Sequence, residues 1–94
     1  MKRDERIRAA IEAALAPERL DIEDDSARHA GHAGARPGGE THYNLRVVST
    51  AFEGMSRVAR QRRIHDVLDA EFASGLHALS VKALTPAEAA DETG

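Results

Sequence analysis

The sequence predicts an α+β domain in which helices pack on one face of a three-stranded mixed sheet. Apolar residues recur at helical spacing in two stretches, and they alternate with polar residues in three shorter ones. The second helical stretch separates the second and third strands, so these two strands can pair in parallel, while the first two can form an antiparallel hairpin. The predicted order is α-β-β-α-(α)-β-α, the bracketed helix being a short additional one.

The length and the absence of a linker-like segment predict one domain over residues 1–94, with its core at about 4–88. The first element is a helix in "DERIRAAIEAALAP", with Asp4 as the N-cap and Pro17 marking the end. Its apolar positions at helical spacing are Ile7, Ala10, Ile11, Ala14 and Leu15.

Two alternating stretches follow and predict the hairpin. "RLDIED" places Leu20 and Ile22 on one face, and "ETHYNLRVVST" is the clearest strand in the chain, with Tyr43, Leu45 and Val47 on one face. The connection between them, about 25–39, is long for a hairpin and has no large apolar side chain. We expect it to be the most mobile internal segment.

A second long helix is predicted in "RVARQRRIHDVLDAEFAS", capped by Ser56 and ended by Gly75. The residues assigned to its inner face are Val58, Ile64, Val67, Leu68 and Phe72. "LHALSVKAL" then predicts the third strand, with Leu79, Val81 and Ala83 on one face.

The spelling "TPAE" predicts a capping box in which Thr85 caps a last helix, Pro86 occupies its first position and Glu88 reaches back. The tail at 89–94 is expected to fray.

Composition excludes several classes of protein. The chain has no cysteine, so it cannot form a disulfide framework or, by itself, a cysteine-ligated metal site. It has no apolar run of membrane-spanning length, and its first residues are too charged for a signal peptide, so a cytoplasmic protein that does not engage the membrane is expected. No serine lies in a nucleophile motif, which argues against an enzyme.

The stretch "HAGHAGARPGG" brings His29 and His32 close together among small residues. It is not a phosphate-binding loop, since it lacks the Gly-Lys-Ser/Thr ending and leads into a strand. Two histidines are too few for a closed metal site, which normally needs four ligands. The stretch alone therefore favours a solvated connection, with a metal-binding loop as the alternative.

Four arginines load the start of the second long helix with positive charge: Arg57, Arg60, Arg62 and Arg63. They can meet nucleic-acid phosphates or an acidic partner, or they can form a solvated face. The helix dipole disfavours positive charge in the N-terminal turn. This small electrostatic cost slightly favours a functional role for the arginines. The formal net charge of −3 and the lack of interleaved aromatics argue against tight or sequence-specific nucleic-acid binding.

Several spellings taken together resemble the BolA family over nearly the whole chain, from about Arg6 to Glu88. They are "DDSARHAGHAGARPGGETHYNLRVVSTAFEG", "ARQRR" and "GLHALSVKALTPAE". The resemblance implies a fold similar to the class II KH arrangement. It also implies pairing with a monothiol glutaredoxin as a heterodimer that shares a two-iron two-sulfur cluster, which this chain would not hold when isolated. Roles in iron-sulfur trafficking or iron regulation follow from that pairing.

The resemblance also implies site residues. His77, in "HAL", corresponds to the family's cluster ligand, and His29 corresponds to the second ligand, with His32 as an alternative. Some family members are described as DNA-binding transcriptional regulators. The second interpretation is therefore a DNA-binding transcriptional regulator that uses the arginine-rich, helix-turn-helix-like region and binds DNA weakly. One position departs from the family: many relatives have Arg-His-Arg where this chain has Gln61 between its arginines. The free chain is expected to be a monomer or a weak homodimer.

Overall fold

The computed structural model describes residues 2–24 and 42–93. The predicted mobile connection, together with His29 and His32, lies outside the described residues. The observed element order matches the predicted one, including the short additional helix. The elements are α1 (Arg3–Leu15), β1 (Arg19–Asp24), β2 (His42–Val48), α2 (Arg57–Val67), α3 (Asp69–Ala73), β3 (Ala78–Leu84) and α4 (Pro86–Thr93).

The sheet has the strand order β1-β2-β3 and is mixed, as predicted. The β1 and β2 strands are antiparallel, with Ile22 opposite Leu45, whereas β2 and β3 are parallel, with Leu45 opposite Val81. The alternation seen in the sequence is observed: Tyr43, Leu45 and Val47 are all buried. This face of the sheet is therefore the floor of the core.

The core is closed by apolar side chains of α1 and α2 above that floor. It is built mainly from aliphatic residues, with two buried aromatic residues: Tyr43 of β2, and Phe52 in a short 3-10 turn at Thr50–Phe52. Ala14 is exposed and takes no part, which narrows the apolar stripe predicted for α1. The helical residues that complete the core are Ile7, Ile11, Leu15, Ile64 and Leu68.

Three helix details differ from the sequence prediction. The N-cap of α1 is Lys2, and Asp4 lies within the first turn, where its charge favours the helix dipole. The long second helix is interrupted at Leu68, whose φ of −102° and ψ of 15° separate α2 from α3. Val58 is 59% exposed. The buried row of α2 passes through Arg60 and Ile64, and Arg60 lies about 200° around the helix from Val58.

Buried ion pairs join the beginning of α1 to α3. Arg3 Nη1 donates to Glu71 Oε1 at 2.9 Å and to Ser74 Oγ at 2.9 Å. Arg6 Nε donates to the second oxygen of the same carboxylate at 3.0 Å. Gly75 follows with φ of +128°, a conformation that favours glycine. These contacts tie two elements that lie far apart in the chain.

The last helix forms through the predicted capping box and extends further than expected. The Thr85 backbone N–H donates to Glu88 Oε1 at 2.8 Å, and the Glu88 N–H donates to Thr85 Oγ1 at 3.2 Å. The prediction that residues 89–94 fray is wrong as far as Thr93, because α4 continues to that residue.

The end of α4 also corrects the prediction that the helices pack on one face. Glu92 accepts a hydrogen bond from Arg46 Nη2 at 2.9 Å and forms an ion pair with Lys82. Arg46 and Lys82 alternate with the buried Leu45 and the partly buried Val81, so their side chains lie on the opposite face of the sheet. Helix α4 therefore passes along the β3 edge, and its C-terminal end reaches that face. Within 2–24 and 42–93, no helix has both the length and the apolar character needed to cross a bilayer.

Candidate functional site

Two histidines meet at one end of the sheet. His77 is exposed and immediately precedes β3, while His42 begins β2 as the register partner of Ala78. The starts of parallel strands lie at the same end of a sheet, so the two imidazole rings come together, with centroids 6.4 Å apart and planes 21° from parallel. The sequence had singled out His77, whereas His42 had no assigned role. The pairing of β2 with β3 was the signal that could have found it.

The segment with the other two candidate ligands is anchored at this same end. It leaves the described sheet after Asp24, the register partner of Tyr43, and re-enters it at His42. His29 and His32 are among the residues that the structure does not describe. Chain connectivity thus joins both of them to the end of the sheet where His77 lies.

The chemistry of these donors suits part of a metal site. In the described part of the chain, no group of three or more histidine, cysteine, aspartate or glutamate side chains is arranged to hold a metal ion. Two neighbouring imidazoles, one of them exposed, offer nitrogen donors that iron and zinc accept when the ring is neutral. The donor set therefore fits a group whose remaining ligands come from another molecule.

Gln61 does not belong to this end of the sheet. Its side-chain Nε2 donates to the Val81 carbonyl at 2.9 Å, on the outer edge of β3. Val81 is four residues from His77, about 13 Å at the usual rise of a strand. The residue that replaces the family histidine therefore stabilises the contact between α2 and β3.

Arg60 is not available to nucleic-acid phosphates, which corrects its assignment to the basic surface. The residue is 6% exposed. Its guanidinium donates to the Met55 carbonyl at 3.1 Å, to the Ala83 carbonyl at 3.1 Å and to Glu88 Oε1 at 2.6 Å. It also lies 6.0 Å from the ring centroid of Phe52. Arg60 therefore joins β3 and α4 to the core.

The other three arginines of this run are exposed: Arg57, Arg62 and Arg63. Arg57 follows Ser56, whose hydroxyl caps α2 by accepting a hydrogen bond from the Ala59 N–H at 3.1 Å. Arg62 and Arg63 lie about one and a half helical turns further along, about 100° apart on the outer side of the helix. The basic surface is thus smaller than the sequence suggested and is spread around α2.

Two carboxylates of α4 have lowered pKa values because cations from other elements lie beside them. The Arg60 guanidinium, helped by the Thr85 N–H, lowers the pKa of Glu88 from 4.5 to about 2. Lys82 and then Arg46 lower the pKa of Glu92. Both carboxylates are therefore ionised at neutral pH and neutralise the cations beside them.

Comparison with known proteins identifies the family. Residues 11–88 match the model of the BolA family, described as BolA-like protein. SufE-like protein 1 of Arabidopsis thaliana, a chloroplastic or mitochondrial protein, is 55% identical over 87 residues, which cover 88% of this chain and 24% of that protein. Protein BOLA1 of the same plant, which is chloroplastic, is 47% identical over 88 residues, covering 92% of this chain and 55% of that protein.

The chain thus spans about a quarter and about half of the length of these two relatives. A solved structure, the BolA domain of SufE1 from Arabidopsis thaliana, superposes with a TM-score of 0.83 at 53% identity and covers 94% of this chain and 96% of that one. Sequence and structure agree over nearly the same residues, and the chain belongs to the BolA-like protein family.

Proposed function

We propose that this chain is an adaptor that pairs with a monothiol glutaredoxin and shares a two-iron two-sulfur cluster with it, in iron-sulfur trafficking or iron regulation. One observation carries the proposal: the exposed His77 lies beside His42 at the end of the sheet where the segment bearing His29 and His32 is anchored. A pair of imidazoles at the end of a sheet, one of them exposed, is suited to docking against a second protein.

The composition supports a shared site. Two-iron two-sulfur clusters are held mainly by cysteine thiolates, and this chain has none. The thiolates would therefore come from the partner, and His77 with His29 would supply nitrogen ligands to one iron. Histidine ligation raises the reduction potential of such a cluster relative to all-cysteine ligation, which is the chemistry this chain would contribute.

The remaining parts of the proposal follow from the same interpretation. The chain acts by binding and not as an enzyme, in the cytoplasm, with a fold of the class II KH-like type. On its own it holds no cluster and is a monomer or a weak homodimer.

The test is anaerobic cluster reconstitution of a monothiol glutaredoxin with and without this chain, followed by absorption and visible circular dichroism. We expect a mixed-complex spectrum that differs from that of the glutaredoxin alone and that disappears with His77→Ala. His65→Ala is the matched control, because His65 is also exposed but lies on α2, where it stacks on Phe72 at 5.0 Å. An unchanged glutaredoxin spectrum in the presence of the wild-type chain would contradict the proposal.

The second candidate function is weak nucleic-acid binding, favoured by the exposure of Arg57, Arg62 and Arg63. Contacts to phosphates alone give an affinity that falls steeply with salt and shows little preference for sequence. The test is duplex DNA binding over a range of salt concentrations, with these three arginines replaced by glutamine. Sequence-selective binding that survives physiological salt would contradict this form of the function.

A further inference from the structure

Helix α4 sets two carboxylates, one helical turn apart, against cations from three other elements. Glu88 forms an ion pair with Arg60 of α2 at 2.6 Å. Glu92 binds Arg46 of β2 and Lys82 of β3. The short last helix thus neutralises the buried Arg60 of α2 and the cations that the sheet would otherwise present to solvent.

The pair bound by Glu92 is the more accessible part of this arrangement. Arg46 and Lys82 are register partners on neighbouring parallel strands, which lie about 4.8 Å apart. Like charges side by side on one face of a sheet repel each other, so this pair favours a bound anion between them. In the structure the Glu92 carboxylate is that anion.

The surroundings of the pair show that it continues an exposed basic surface. A cleft of about 440 Å³ is lined by two cations, three carboxylates and one apolar residue: Arg57, Lys82, Glu88, Asp91, Glu92 and Leu84. Arg57 is exposed, and α2 continues from it to the exposed Arg62 and Arg63. Without the carboxylates of α4, positive charge would extend from the open face of the sheet to α2.

We infer that α4 is an acidic strap that covers part of a surface for nucleic-acid phosphates, formed by Arg46, Lys82 and Arg57, and so weakens polyanion binding by this chain. The inference rests on the second candidate function and names a device that regulates it. A phosphate backbone is the favoured ligand over an acidic protein, because phosphates require only positive charge. Among the described residues, Val58 is the one large apolar side chain that is exposed, so the described surface offers little apolar area for a protein partner to bury.

The test compares Glu92→Gln with the wild-type chain for binding of a duplex of about 20 base pairs, measured by fluorescence anisotropy from low to moderate salt. Freeing two cations should lower Kd at low salt by roughly tenfold and should steepen the slope of log K against log salt by about 1 to 2. The variant keeps the capping box of Thr85 and Glu88, and far-ultraviolet circular dichroism checks that α4 remains folded.

Glu5→Gln is the matched control, since it changes the net charge equally. Glu5 lies on α1 beside Ile22 of β1, the strand at the other edge of the sheet from β3. It should change Kd by less than about twofold. A gain in the control equal to that of Glu92→Gln would overturn the inference, because the effect would then come from net charge alone.

A double replacement, Arg46→Gln with Lys82→Gln, completes the design. With Glu92 present, the double replacement should change the affinity for DNA little. In the Glu92→Gln background it should remove all of the increase in affinity, and this coupling would support the strap. If the wild-type chain binds DNA through Arg57, Arg62 and Arg63 and Glu92→Gln binds with the same affinity at every salt concentration, the strap is contradicted, but the second candidate function is not. Absence of binding by every variant at low salt overturns both the strap and the second candidate function.

Discussion

At the scale of single residues, His77 and His29 should contribute unequally to the proposed shared cluster. His77 directly precedes β3, so the sheet holds its backbone in place, whereas His29 must lose more conformational freedom on binding if its segment is mobile, as the sequence predicts. We expect His77→Ala to abolish the mixed-complex spectrum, His29→Ala to weaken it, and loss of both His29 and His32 to approach the effect of His77→Ala.

The measurement for these variants is titration with cluster-loaded glutaredoxin. Far-ultraviolet circular dichroism should show that each variant keeps the wild-type fold. A wild-type spectrum from His77→Ala would show that the ligand assignment does not hold for this chain.

Substitutions of Arg60 and Arg62 should distinguish an arginine that stabilises the fold from one that lies on the surface. Arg60→Gln removes the partner of Glu88 and leaves the Ala83 carbonyl without its donor, so we expect the free energy of unfolding to fall by about 2–3 kcal/mol. Arg62→Gln changes an exposed side chain and should stay within about 0.5 kcal/mol of wild type. Urea denaturation measures both, and equal losses would contradict the assignment of Arg60.

The roles of individual residues were predictable only where the local sequence determined them. The capping box of Thr85 and Glu88 could be predicted because both partners lie within one turn. The burial of Arg60 and the contact between His42 and His77 could not, because each depends on β3, which is distant in the sequence. An arginine in a basic run has the same spelling whether it binds a carbonyl or faces solvent.

At the scale of elements, the contact of α4 with α2 should depend on the charge of Glu88. Its pKa in the folded chain is lowered to about 2 from 4.5, so its stabilising contribution is complete above pH 4.5 and is lost as the pH falls toward 2. A titration of the side-chain carboxyl by ¹³C NMR should give a midpoint near 2. In Arg60→Gln the midpoint should rise toward 4.5, since the main cause of the shift is removed.

Glu88→Gln is the complementary variant for the same element. The stability of this variant should depend less on pH between 4.5 and 2 than that of the wild-type chain, as measured by urea denaturation across that range. An identical pH dependence in the two chains would contradict the role given to Glu88.

Element types were largely predictable, since the periods of apolar residues separate helices from strands. The short additional helix before β3 was predicted, but its boundary at Leu68 was not, because the sequence there continues a helical pattern and Leu68 itself remains in the core. The end of α4 was also missed. Its residues are mostly small or acidic, and it is held by Arg46 and Lys82 of the sheet, which local propensity does not include.

At the scale of the whole molecule, the carboxylate of Glu71 should matter more than most others. It holds Arg3 and Arg6, and both Arg3 and Glu71 are buried. Glu71→Ala removes the carboxylate that pairs with the buried Arg3 guanidinium, so we expect a loss of about 3 kcal/mol in the free energy of unfolding. Glu12→Ala, which removes an exposed partner of Arg8 at 3.8 Å, should cost less than about 0.5 kcal/mol.

Urea denaturation compares these two variants under identical conditions. Equal losses would show that the pairs between α1 and α3 add nothing beyond surface charge.

The topology itself was predictable from the order of elements, because a helix between two strands favours a parallel pair. The ion pairs that join the beginning of α1 to α3 were not, since nothing in either segment's sequence specifies the other.

The side chains of Gln61 and Arg60 along β3 have a consequence for self-association. They occupy the outward carbonyls of Val81 and Ala83, so a strand from another molecule cannot use those acceptors. Growth of a fibril by strand addition needs two open edges in every molecule, one to accept and one to donate. Because the β3 edge is obstructed, two molecules that pair through their β1 edges leave no open edge for a third. Edge-to-edge growth therefore stops at two copies.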